Sequence, residues 1–96
     1  MEERFGIAAF RSRQQVMAYL QALQHAGVKA GVITTPRSIA VGCGLSVRFE
    51  LGDAQQAAAV YRSARPANLI GFYCAAYDGH GHVTCRPLGI EAGYSG

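Results

Sequence analysis

Ninety-six residues, half of them hydrophobic, with nine Lys/Arg against six Asp/Glu and a net charge of +3, describe a globular chain and exclude a disordered tail. The basic residues are scattered instead of clustered, which argues against a nucleic-acid partner, and no stretch reaches membrane-spanning length. Three cysteines is an odd count, and acidic Glu2 and Glu3 open the chain without a basic or apolar leader, so a cytoplasmic protein with reduced thiols is expected.

The first element is Arg4 to Phe10, short and apolar between polar flanks, as suits a strand buried on at least one face. Ser12 with Gln15 three positions later has the form of a capping box, and Val16, Leu20 and Leu23 follow at helical spacing until Gly27 stops the helix. Val28 to Thr34 alternates as a second strand that Pro36 ends. Leu45, Val47, Phe49 and Leu51 then alternate with Ser46, Arg48 and Glu50, giving a third strand with one core face and one wet face. Asp53 and Gln56 repeat the cap logic before an alanine-rich helix through Val60 and Ala64, closed by Pro66. Leu69 to Ala76 reads as the fourth strand.

Strand, helix, strand, strand, helix, strand is an α+β pattern, a ferredoxin-like βαββαβ sandwich with both helices on one face of an antiparallel sheet. Asp78-Gly79 signals a tight turn into a short fifth strand from His80 to about Arg86, an added C-terminal hairpin. We expect a single domain over residues 1–96, with a core of about 4–76 and a hairpin and tail over 77–96. The sheet face without helices is left open, which permits a homo-oligomer.

Chemistry concentrates around Cys43, which stands between Gly42 and Gly44 in the loop Thr35-Pro36-Arg37-Ser38-Ile39-Ala40-Val41-Gly42-Cys43-Gly44-Leu45. The glycines allow strained backbone angles and close approach to the sulfur. Arg37 before it and Arg48 after it are placed to favour the thiolate. The competing reading is a buried structural thiol. Cys74, His80, His82 and Cys85 are ligand types that zinc favours, which raises a zinc or thiol-redox alternative. A two-residue hairpin turn pairs Tyr77 with His80, Cys74 with Val83 and Phe72 with Cys85. Both cysteines then share one side and both histidines the other, which disfavours a tetrahedral site. His25 suits the C-terminus of its helix. The chain lacks a phosphate-binding glycine loop, a serine nucleophile elbow and a close carboxylate pair.

Pro36-Arg37, then Cys43-Gly44 leading into the alternating strand SVRFE, resembles the selenium/sulfur (Se/S) carrier protein-like family over about residues 4–75. The resemblance implies a sulfur or selenium carrier that holds a persulfide or selenopersulfide on Cys43, with Arg37, Gly42, Gly44 and Arg48 in support. It implies no bound cofactor, a cysteine desulfurase-like donor and a sulfur- or selenium-accepting enzyme as partners, and accessory rather than turnover activity. A small ligand- or protein-binding regulatory module is the alternative. In the expected topology the start of strand three shares a sheet end with the finish of strand four, about 10 Å apart. Cys74 would then lie near Cys43 but beyond relaxed disulfide reach.

Overall fold

The computed structural model describes residues 3–39, 44–64 and 68–88. Strands β1 (Glu3–Phe10), β2 (Ala30–Thr34), β3 (Leu45–Phe49), β4 (Leu69–Tyr77) and β5 (Val83–Pro87) alternate with helices α1 (Arg13–His25) and α2 (Ala54–Ala64), α2 following one 3-10 turn at Leu51–Asp53. The sheet runs β2-β3-β1-β4-β5, with every neighbouring pair antiparallel. This is the ferredoxin-like βαββαβ arrangement, with β5 added outside β4. No helix among the described residues is long and apolar enough to cross a membrane.

β1 occupies the centre because its residues are apolar on both sides, and Ile7 and Ala8, which point to opposite faces, are both fully buried. α1 turns Val16, Tyr19, Leu20 and Leu23 toward the sheet. The capping box does not form: Ser12 sits at the N-cap with no side-chain cap bond, and its backbone carbonyl accepts from Gln15 N–H instead. The helix end follows expectation. Gly27 takes φ +83, its N–H donates to the Gln24 carbonyl and Val28 N–H donates to the Leu23 carbonyl, which is the Schellman pattern. Val28 then enters the same core cluster as Leu23.

The helix-side core joins Phe10, Tyr19, Phe49 and Phe72 with Val16, Leu23, Val47 and Ala57. Phe72 meets Tyr19, Phe49 and Tyr61 edge-on, with ring centroids at 6.0, 6.1 and 5.6 Å, a favoured aromatic geometry. Tyr19 Oη donates to the Ala57 carbonyl at 2.6 Å, tying α1 to α2. Burial foremost, with the Tyr61 phenol adding to it, raises the Tyr19 pKa. A Cβ at Gly6 would run into the Phe49 ring, so close strand-to-ring packing requires glycine there.

Four expectations need correction. β3 ends at Phe49, and Leu51 lies in the 3-10 turn. β5 begins at Val83, not His80, because the turn is longer than two residues: Asp78 Oδ1 accepts from the N–H groups of His80 and His82, and Asp78 N–H donates to the His82 carbonyl. Tyr77 therefore pairs with Val83, Ala75 with Cys85 and Cys74 with Arg86. That is an odd shift, and in a strand an odd shift reverses faces; the two cysteines point to opposite sides of the sheet. Within β4 a register shift between Ala9/Gly71 and Phe10/Leu69 turns Ile70 away from Phe72, and Ile70 packs in the opposite cluster.

The fourth correction concerns sheet ends. β3 and β4 both run antiparallel to β1, so they are parallel to each other and their starts share an end. Cys74 pairs with Gly6, whereas the start of β3 lies level with Ala9 and beyond. Cys74 is thus displaced along the sheet from Gly44, and it lies on the helix-facing side.

Candidate functional site

The second sheet face is not wet. Ser46 is 0% exposed, and Phe5, Ile7, Ala9 and Ala75 are buried there beneath Ile39, itself 5% exposed. The cover is the chain leaving β2. Pro36 redirects it, Ile39 N–H donates to the Pro36 carbonyl at 3.0 Å, and the resulting turn presses Ile39 onto the sheet. Thr35 anchors the same segment twice: its N–H donates to the Gly44 carbonyl at 3.0 Å, and its Oγ1 lies 2.6 Å from Ser46 Oγ. The shared hydroxyl pair satisfies the buried Ser46, which would otherwise carry a desolvation penalty of about 1–3 kcal/mol.

Both anchors close on Gly44, whose φ of +87 lies in the left-handed region that glycine adopts without a side-chain penalty. A Cβ there would meet nothing within 4 Å, so the glycine is needed for backbone direction and not for room. Cys43 and Gly42 lie outside the described residues. Arg37 is exposed, and among the described residues it has no carboxylate partner. Arg48, expected in support of the cysteine, is committed elsewhere. Its Nη2 lies 2.9 Å from Glu3 Oε2 and its guanidinium stacks 3.9 Å above the Phe5 ring, because four strand positions carry it from Gly44 toward the opposite sheet end.

A groove of ≈ 630 Å³ opens between this loop and the C-terminal hairpin. Phe5 and Ile33 form its floor, Thr34 to Ser38 one wall and Gly81 to Thr84 the other. The hairpin tip is rigidified by Asp78, and His82 Nδ1 lies 3.1 Å from Asp78 Oδ2. Backbone N–H donation from His80, reinforced by the N–H and ring of His82, holds the Asp78 carboxyl below the ordinary aspartate value despite partial desolvation. Arg37 and His82 thus face one space from opposite walls, and none of the described residues lining it is acidic.

The zinc set does not gather. Cys74 lies with Arg4, Ala76, Thr84 and Arg86 around a small cleft, while Cys85 packs with the cluster on the other face. Among the described residues no group of three or more His, Cys, Asp or Glu side chains is placed to hold a metal ion. Sequence reasoning missed Phe5, Ile33, Val83 and Thr84 as site residues, and assigned His82 to a bare hairpin. The available signal was the pair of histidines flanking Gly81 after an Asp-Gly turn; what it lacked was the fold that brings the turn across from Arg37.

Residues 5–68 match the family described as "Putative Se/S carrier protein-like". The chain belongs to this family. The matched stretch carries β1, both helices, β2, β3 and the whole cysteine loop, so the floor and one wall of the groove are family territory. The hairpin wall, Gly81 to Thr84, follows the matched residues. No curated protein and no solved structure matches the chain.

Proposed function

We infer that this member of the Se/S carrier-like family is a chalcogen carrier, with Cys43 as the covalent attachment point. The observation that carries the reading is membership of the family over residues 5–68, a span that contains one cysteine, Cys43. The anchoring of the loop supports it. Thr35 and Gly44 fix the position where the chain re-enters the sheet immediately after Cys43, and the positive φ of Gly44 sets the direction of entry.

The transfer is redox-neutral. The Cys43 thiolate attacks the outer sulfur of a donor persulfide, a new S–S bond forms at Cys43, the donor S–S bond breaks, and the donor departs as a thiolate that takes up a proton. An acceptor nucleophile then attacks the outer atom and returns Cys43 to the thiolate. The selenium version follows the same sequence with a selenopersulfide. A cysteine desulfurase-like enzyme is the proposed donor and a sulfur- or selenium-accepting enzyme the proposed recipient. Arg37, exposed and without a carboxylate partner among the described residues, supplies positive charge to the loop, and Arg48 is left to its structural pairing with Glu3.

Peptide mass spectrometry after incubation with a charged cysteine desulfurase tests the reading. The peptide bearing Cys43 gains one sulfur or selenium atom, and Cys43→Ser abolishes the gain. Labelling at Cys74 or Cys85 with none at Cys43 would sink it.

A further inference from the structure

We propose that the groove between the cysteine loop and the C-terminal hairpin binds a small carboxylate-bearing thiol compound, the low-molecular-weight partner from which or to which the carried atom passes. The proposal rests on the carrier reading for the word thiol; the word carboxylate comes from the groove itself. Its charged lining is one-sided. Arg37 contributes a permanent cation, Ser38 a hydroxyl and His82 an imidazole that leans on Asp78 at 3.1 Å, and none of the described lining residues is acidic. Arg48 shows the contrast, since it already has Glu3 at 2.9 Å. A guanidinium left open on the groove wall suits a planar carboxylate, which accepts two parallel N–H bonds.

Size and apolar content narrow the class further. A volume of ≈ 630 Å³ lies in the range of small-molecule sites and exceeds what a single carboxylate needs. Phe5, Ile33, Pro36 and Val83 offer apolar surface for the body of the ligand between its polar ends. The histidine wall is preset, because Asp78 accepts two backbone N–H bonds and holds the His82 ring at 3.1 Å; little ordering remains to oppose binding there. Thr35, a lining residue, also grips Gly44, so the occupied groove adjoins the point where the chain leaves Cys43.

S-methylglutathione is a suitable probe: it is a carboxylate-bearing thiol derivative of tripeptide size that cannot exchange sulfur. Titrated into the full chain and followed by amide chemical shifts, it is expected to move the signals of Ile33 to Ser38 and Gly81 to Thr84 together. Arg37→Ala weakens binding about tenfold, the loss of one charge-assisted contact, and His82→Glu, at an exposed position on the hairpin wall, weakens it through like-charge repulsion without touching the loop. No shift at either wall, an unchanged affinity in both variants, or binding only by a peptide segment of a partner protein would overturn the proposal. Because the probe cannot load Cys43, the two readings fail separately. Groove binding with no chalcogen on Cys43 refutes the carrier, and a loaded Cys43 with an empty groove refutes the ligand class.

Discussion

The two faces of the sheet are buried in different ways. On one, two helices cover a continuous aromatic core in which Tyr19, Phe49 and Phe72 are fully enclosed. On the other, a smaller cluster of Phe5, Ile7, Ala9 and Ala75 is covered by Ile39 from a connecting segment, and the space left between that segment and the hairpin is the groove. The helical face supplies most of the packing. The loop face gives up part of its cover and exposes a cation and an imidazole above an apolar floor, so the proposed site lies where burial is least complete.

The sharpest way to test that division is Phe72→Ala. Phe72 is central to the aromatic contacts, and its truncation is expected to cost about 3–5 kcal/mol, read as a lower urea midpoint; a loss under 1 kcal/mol would mean that the helical face is not the main source of stability. Ile39→Ala comes next, at about 2 kcal/mol, because Ile39 lies at the rim of a smaller cluster. It should also shift the amide signals of Thr35 and Gly44, and a loop that stays unchanged would show that the apolar anchor is dispensable. Tyr19→Phe costs about 1 kcal/mol through the lost bond to Ala57.

The same phenol predicts a pH effect of known sign. Its pKa is raised in the folded state from the ordinary value of 10.0, so its contribution is intact below pH 10.0 and is lost as pH rises above it, where the unfolded chain ionises first. Wild type should therefore lose stability in alkali more steeply than Tyr19→Phe; parallel curves would refute the assignment. The smallest effect belongs to Asp78 on the loop face. Its pKa is lowered, so its turn-holding bonds persist above the ordinary aspartate range and are released as pH falls through the depressed value. Amide shifts of His80 and His82 should report that release on the acid side of ordinary aspartate titration, and a midpoint at or above the ordinary value would contradict the bonded turn.

Much of the fold was legible because it is written in local periodicity. The spacing of Val16, Leu20 and Leu23, the alternation from Leu45 to Phe49 and the stop at Gly27 each reflect a repeat of the backbone itself. Errors fell where one residue reorganises hydrogen bonding. Asp-Gly at 78–79 suggested a two-residue turn, but the Asp78 carboxylate recruits two further N–H groups and lengthens it, and the register of Cys74 and Cys85 changes with it. The bulge at Ile70 is of the same kind: one extra residue, silent in composition, moves a side chain to the other face.

For the site, residue chemistry pointed to Arg37 and Gly44 around Cys43, and Gly44 has the backbone angle its neighbourhood demanded. Arg48 was misjudged because sequence distance does not tell which way a strand runs from its starting point; its partner, Glu3, is 45 positions away.

The sequence by itself determined the two helices, the strand count, the ferredoxin-like order and the family, since each depends on patterns within a few residues or on a contiguous motif. Only the tertiary structure decided that the segment after β2 folds back to cover the second sheet face, and that the hairpin meets it across a groove. Those outcomes depend on contacts between residues far apart in the chain, such as Phe5, Ile39 and Val83, whose energies are set by shape and registry and leave no periodic trace.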